Sequence, residues 1–154
     1  MSKCKYCVNT GEIENTMLEV CRMRSGTLYL LKDQTLPGRC IFAFNRHIRR
    51  ITELQDWEYR DFFDDIFQIA KALESLFLPD KINYLVLGDL SDHLHMHIVP
   101  KYRKSPDWGK VFELDRAAPI LLTDNEYEEL TYKIKIKLKM PESDKDKGAA
   151  CERL

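Results

Sequence analysis

His93, His95 and His97 alternate with Leu94 and Met96 in the run His93-Leu94-His95-Met96-His97-Ile98-Val99-Pro100, and they are three of only 4 histidines in the chain. An imidazole with its ordinary pKa of about 6.5 is largely neutral at pH 7. It can bind a metal, pair with phosphate, carry a proton or attack an electrophile. Extended backbone sends successive side chains to opposite faces. The three imidazoles then share one exposed or cleft-facing strip, roughly 6 to 7 Å apart, while Leu94, Met96 and Ile98 pack inward. Three readings follow: a surface strand with incidental histidines, one catalytic metal held by all three, or nucleophilic catalysis. Neighbours on one strand at that spacing converge poorly on a single ion, and the apolar alternation argues against accident. Nucleophilic catalysis is the leading reading.

The other reactive residues are the cysteines, Cys4, Cys7, Cys21, Cys40 and Cys151. An odd number without a regular framework argues for reduced thiols rather than a secreted disulfide scaffold. Only Cys4-Lys5-Tyr6-Cys7 has an informative spacing, and by itself it fits a redox pair, a metal pair or chance.

The elements that must position these groups are legible from periodicity. Residues 27–32 and 40–44 are rich in aliphatic, aromatic and β-branched types around the turn Leu36-Pro37-Gly38, which predicts an antiparallel hairpin. From about Gln55 to Phe77, Trp57, Phe62, Phe63, Ile66, Phe67, Ala70, Leu73, Leu76 and Phe77 recur at three- and four-residue steps. They predict a long amphipathic helix ended by Leu78-Pro79, its aromatic residues assigned to the core. Ile82–Leu87 and His93–Pro100 predict a second hairpin across Gly88–Asp92. Thr123-Asp124-Asn125-Glu126 reads as a capping box opening a last helix to about Lys139. The charged, small-residue tail 141–154 reads as disordered. This is an α+β pattern, an antiparallel sheet with one long helix packed on it and a C-terminal helix. The division expected is a domain over 1–115, a helical extension over 116–140 and the tail.

Lys and Arg number 24 against 25 Asp and Glu, a net charge of -1, so no basic field exists to hold a nucleic-acid polymer. Apolar runs such as Ile41–Phe44 are far shorter than the ~20 residues of a membrane helix. The first residues, Met1-Ser2-Lys3-Cys4-Lys5, lack the apolar stretch of a secretory signal. A cytoplasmic protein without a membrane partner is expected.

With its histidine run, the chain resembles the histidine triad family of nucleotide hydrolases and transferases, whose signature is His-apolar-His-apolar-His followed by two apolar residues. The resemblance extends to Leu36-Pro37-Gly38-Arg39, the strand after it, Asn45-Arg46-His47, the long helix and the segment Lys81–Asp89. It covers roughly residues 4–103. It implies that His95 attacks the α-phosphorus of a nucleotide to form a nucleotidyl-histidine that water hydrolyses. A backbone carbonyl inside the motif would hold the proton on the other ring nitrogen. His97 would contact phosphate oxygens and assist the leaving group. Zinc-containing bacterial-type members carry an N-terminal Cys-x-x-Cys, which implies a structural zinc on Cys4, Cys7, His47 and His93. The other reading leaves two free cysteines, with His93 hydrogen-bonded behind the nucleophile.

Resemblance also implies a homodimer and a ribose-gripping acid at Asp33, where turn chemistry alone equally explains an aspartate. Arg39 stands where a histidine is more usual and could approach the phosphates. Trp108 could cover the base or a partner subunit, or pack on its own chain. The chain departs from the better-known branches in the loop before the triad. Gly88-Asp89-Leu90-Ser91-Asp92 replaces a Gly-Gln-Ser type of phosphate loop and brings two acids near an anionic substrate.

Overall fold

The computed structural model describes residues 4–8, 11–105, 107–113 and 116–139. The tail assigned to 141–154 lies outside them.

The first elements are ones that periodicity did not announce. A five-residue helix, α1 (Glu12–Thr16), runs directly into β1 (Met17–Arg22), which pairs antiparallel with β2 (Gly26–Leu31) across a bulge between Glu19 and Cys21. β2 then pairs with β3 (Cys40–Phe44), the expected first hairpin. Gly38 sits in its turn with φ 83°, and a Cβ there would come within 2.7 Å of the Phe77 ring. Glycine meets both the left-handed backbone and the close approach.

The long helix α2 spans Asp56–Phe77, and β4 (Lys81–Leu85) and β5 (His95–Lys101) form the second antiparallel pair. β5 inserts between β3 and β4, giving a five-stranded antiparallel sheet of order β1-β2-β3-β5-β4. The last helix, α3, is Asp124–Lys137, capped by Thr123, whose hydroxyl accepts from the Glu126 amide. The expected α+β architecture is the observed one.

One sheet face carries the main core, with Leu28, Leu30, Phe42, Leu94, Met96 and Ile98 against Phe62, Ile66, Ile69 and Leu73 of α2. α3 adds Tyr127 and Ile134 to this same core. Phe42 stacks on Phe62 with centroids 5.5 Å apart. The expected helix stripe is wider than the face that is buried. Trp57 (66% exposed) and Phe67 (59%) point outward, contrary to their assignment to the core. At about 100° per residue they lie roughly 130–150° round the helix from the row Phe62, Ile66, Ile69, Leu73 that meets the sheet.

The other face carries a smaller apolar cluster of Met17, Tyr29, Leu31, Ile41 and Ala43, with Tyr6 and Ile13 packed on it. No helix among the described residues is long and apolar enough to cross a membrane.

Candidate active site and metal cluster

The alternation of β5 sends Leu94, Met96 and Ile98 to the α2 face and the imidazoles to the opposite one, as the pattern required. The strip is not exposed, however. His93, His95 and His97 are all at least nine-tenths buried. Tyr6 and Phe112, distant in sequence, close over them: the Tyr6 ring lies 5.3 Å from that of His95, and the Phe112 ring 5.5 Å from that of His97. Nor do the three form one row. Ladder pairing between β3 and β5 ends at Ala43 and His95. Beyond it the amide of Leu94 donates to the carbonyl of Ile48 at 2.6 Å, which ties the chain at His93 to the loop after β3.

His93 thereby joins a different set. Its Nε2–H donates to the Phe44 carbonyl at 2.7 Å, so Nδ1 carries the lone pair. That nitrogen lies 3.3 Å from Cys4 Sγ, 3.5 Å from Cys7 Sγ and 3.3 Å from His47 Nδ1, and Cys7 Sγ is 3.3 Å from His47 Nδ1. All four donor atoms fall within 4.8 Å of one another. A tetrahedral ion with bonds of about 2.0–2.3 Å spaces its donors roughly 3.3–3.8 Å apart, so the set fits a metal ion of that size. The backbone carbonyl behind His93 is the kind of group that fixes a ligand tautomer.

The loop that carries His47 is anchored to the start of α2. Glu58 accepts from Arg46 Nε at 3.0 Å and Nη2 at 2.7 Å and also from the Gln55 amide at 2.9 Å, which caps the helix. The Arg46 guanidinium holds the Glu58 carboxyl below its ordinary value. Burial, and then the neighbouring Cys4, push the Cys7 thiol up to about 11. Metal binding must therefore displace protons.

His95 Nδ1–H donates to the His93 carbonyl at 2.7 Å, within the motif itself, which leaves Nε2 bare. Burial lowers the pKa of His95, keeping the imidazole neutral at pH 7. His97 is pushed further, to about 3, by burial and then by its neighbours His95, Arg39 and Lys5. Its buried Nδ1 has no hydrogen-bond partner among the described residues.

Arg39 is 3% exposed, not the solvated residue of an open strand edge. Its guanidinium lies 4.4 Å from the Phe112 ring centroid and donates to the Glu113 carbonyl at 3.3 Å. Asp33 is committed locally, its Oδ1 accepting from the Thr35 amide at 3.0 Å and hydroxyl at 2.6 Å. Asp33 Oδ2 faces Arg39 at 3.6 Å and Arg116 at 3.9 Å. Arg116 pairs with Asp107 and Glu113 as well. The ammonium of buried Lys101 donates to the carbonyls of Asp107, at 2.6 Å, and Lys110, at 3.0 Å. This network fixes the loop after β5 and brings Phe112 to His97. No local signal in the sequence marked Lys5, Tyr6, Phe112 or Arg116 for the site, since each arrives through tertiary packing.

Asp92 turns to Arg49, with 2.9 Å between them at the surface, rather than toward the histidines. Trp108 is 36% exposed, with the Arg103 guanidinium 5.3 Å from its ring.

The histidine triad (HIT) domain matches residues 27–104 of this chain, half its length. "Protein hit" of Bacillus subtilis (strain 168) is 29% identical over 85 residues, which are 52% of this chain and 59% of that protein. The match thus spans about three fifths of that relative. A histidine triad protein from Marinobacter aquaeolei VT8 has a similar structure, with a TM-score of 0.77 at 21% identity, over 87% of this chain and 97% of that one. A Zn-bound histidine triad family protein from Mycobacterium smegmatis superposes with a TM-score of 0.61 at 15% identity, over 89% and 94% of the two chains. A five-stranded antiparallel sheet carries His95 and His97 on β5, between β3 and β4, with His93 just before that strand, and the chain belongs to the HIT domain family.

Proposed function

We propose that the protein is a nucleotide hydrolase that cleaves at the α-phosphate through a nucleotidyl-His95 intermediate. Nucleotide binding and hydrolase-type chemistry are the general business of the family, and the observation that carries the reading here is the 2.7 Å bond from His95 Nδ1–H to the His93 carbonyl. It fixes one tautomer and aims the lone pair of Nε2 outward from the strand. The same carbonyl stabilises the imidazolium that forms when Nε2 bonds to phosphorus. Substrates consistent with this attack are nucleoside polyphosphates, dinucleoside polyphosphates and nucleoside phosphoramidates. Because His95 is 4% exposed, a phosphate reaches Nε2 only if a covering side chain gives way, and Tyr6 is the ring in contact.

His97 takes the role of phosphate contact through its unpartnered Nδ1. Arg39 supplies positive charge on the same side, and Asp33 orients Arg39 and stands as the ribose acceptor. Cys4, Cys7, His47 and His93 hold a structural zinc, a reading supported by donor atoms that all lie within 4.8 Å of one another and by the metal in the M. smegmatis relative. A closed four-ligand zinc supplies rigidity rather than a bound water. His93 then serves two purposes, since its ring joins the cluster while its carbonyl holds His95. The exposed row Tyr59, Phe63 and Phe67 on α2 and the open edge strand β4 suit a homodimer interface. The buried nucleophile and the short loop before the triad favour, as a second reading, a nucleotide-binding module with negligible turnover; transfer to an acceptor other than water is the enzymatic alternative.

The test is capture of the intermediate. Enzyme quenched without acid after mixing with an α-labelled adenosine polyphosphate should carry label on the peptide spanning His93–His97. The bond should be labile in acid and persist in alkali. His95→Ala should lose the label and at least about a thousandfold in rate while keeping its fold. A His95→Ala variant with more than about a tenth of wild-type turnover, or inversion at a chiral α-phosphate, refutes the covalent mechanism.

A further inference from the structure

The ring that covers His95 hangs from the metal cluster. Tyr6 stands inside Cys4-Lys5-Tyr6-Cys7, with one candidate ligand two residues before it and another directly after it. The amides of Cys7 and Val8 both donate to the Cys4 carbonyl at 3.1 Å, so residues 4–8 form a tight turn. From that turn the Tyr6 ring reaches across two imidazoles, its centroid 5.2 Å from that of His93 and 5.3 Å from that of His95. A single side chain thus touches both a ligand of the cluster and the candidate nucleophile.

The two rings that close over the histidine strip are held differently. The loop that brings Phe112 to His97 has polar anchors of its own: Lys101 donates to the carbonyls of Asp107 and Lys110, and Arg39 to that of Glu113. Among the described residues, the polar contacts that tie the Tyr6 turn to the rest of the fold run through the sulfurs of Cys4 and Cys7, at 3.3 to 3.5 Å from ring nitrogens of His47 and His93. Those are the contacts that metal bonds would replace. The ring itself adds packing, with Tyr29 6.1 Å away and Met17 and Ile41 in the same apolar cluster. The Tyr6 hydroxyl is buried with no hydrogen-bond partner among the described residues, a cost that hydration removes when the ring swings outward. The covering position is therefore held by packing and by the backbone fixed on either side of Tyr6, against a hydroxyl that gains by leaving.

We infer that Tyr6 is a gate over His95 whose closing is set by metal occupancy of the Cys4, Cys7, His47 and His93 cluster, so that the ion bracing the N-terminal segment also controls access to the imidazole. This rests on the reading of those four residues as metal ligands. With both sulfurs bonded to one ion, the turn stays against the histidine face, and the ring opens only by rotating about its own side-chain bonds. With the ion removed, the turn keeps only weak thiol contacts, and backbone and ring leave together. A site open for a fraction of the time reacts at that fraction of its free rate, so occupancy of the cluster becomes a rate at His95. Tyr6 is a positioning residue in this scheme and takes no part in bond making.

Carbethoxylation by diethyl pyrocarbonate reads this exposure without turnover. It labels neutral imidazoles that solvent reaches, and fragment mass spectrometry gives a rate for each histidine at pH 7. On the full chain loaded with zinc, His95 of wild type should react slowly. Tyr6→Ala at equal zinc content should raise that rate about tenfold, and Tyr6→Phe should keep the slow rate because its ring fills the same place. Chelation should raise the His95 rate of wild type several-fold and leave that of Tyr6→Ala within about twofold, since that variant has no gate to release. His97, under Phe112, should change by less than about twofold throughout, which separates a gate from general loosening of the fold. His47 should become reactive on chelation and so reports loss of the ion. The wild-type arm needs no substitution and stands even where Tyr6→Ala folds poorly. Equal His95 rates in zinc-loaded wild type and Tyr6→Ala, or His95 and His97 rising together, overturn the gate. A wild-type His95 rate unmoved by chelation while His47 becomes reactive overturns the coupling to the metal. Protein that takes up no zinc overturns the metal reading and the coupling with it, and the comparison of wild type with Tyr6→Ala then decides the gate alone.

Discussion

Replacing His97 by Gln should make the protein less sensitive to mild acid. The wild-type imidazole is 95% buried, and its pKa falls from an ordinary 6.5 to about 3 in the fold, chiefly through burial. Between those values the unfolded chain binds a proton that the folded chain refuses. Stability contributed by the neutral His97 is therefore complete above pH 6.5 and is lost as the pH falls toward 3. The slope is about 1.4 kcal/mol per pH step for one such group, so roughly 2 kcal/mol disappears between pH 6.5 and 5 and at most about 5 kcal/mol by pH 3. The interval from 6.5 to 5 is the useful one, because Glu53, Glu58 and Glu126, whose folded carboxyls are held below 4.5, contribute only at lower pH. Burial lowers His93 and His95 too, but both proteins retain them. Urea melts of each protein at pH 7 and pH 5, with metal bound and after chelation, isolate the difference. Wild type should lose about 2 kcal/mol more than His97→Gln at unchanged m-value. Equal losses, within about 0.5 kcal/mol, would refute the reasoning.

The metal cluster should hold about one zinc per chain by elemental analysis of protein prepared without chelator, and Cys4→Ser or Cys7→Ser should lower both metal content and melting temperature. Protein free of metal in such a preparation would remove the site, and zinc loading of apo protein in weak buffer should release protons because the Cys7 thiol lies near 11. Glu58→Ala removes the Gln55 cap and the Arg46 pair together, so roughly 1–3 kcal/mol of stability should go. A competition titration should also show weaker zinc binding through the loosened His47 loop; unaltered affinity would show that the loop holds without its anchor.

Much was legible locally because local physics decides it. The alternation of His93–Val99 predicted a strand with imidazoles on one face, which β5 keeps for His95 and His97, and the period of Phe62, Ile66 and Leu73 required a helix against the other. Pro37-Gly38 and Thr123–Glu126 marked a turn and a helix start by backbone chemistry that neighbours a few residues away complete. The four residues Cys4, Cys7, His47 and His93 were named through resemblance to a family, and the fold brings their donor atoms together. Their convergence depends on a chain path that no spacing of 40 or 86 residues encodes.

What tertiary structure alone decided is the environment of the imidazoles. Burial of the histidine strip required Tyr6 from the N-terminal segment and Phe112 from the loop after β5, and the latter is placed by Arg116 and Lys101 acting on partners that no motif names. Arg39, an ordinary strand-edge cation in sequence, becomes a buried one beside His97 only because that loop folds over it. β1 also escaped pattern reading, since its alternation is broken by the bulge between Glu19 and Cys21 that its pairing with β2 accommodates. A side chain's type and its face follow from the residues beside it; how dry and how charged its surroundings are depends on residues that folding brings from far along the chain, and the pKa values of His95 and His97 follow from that.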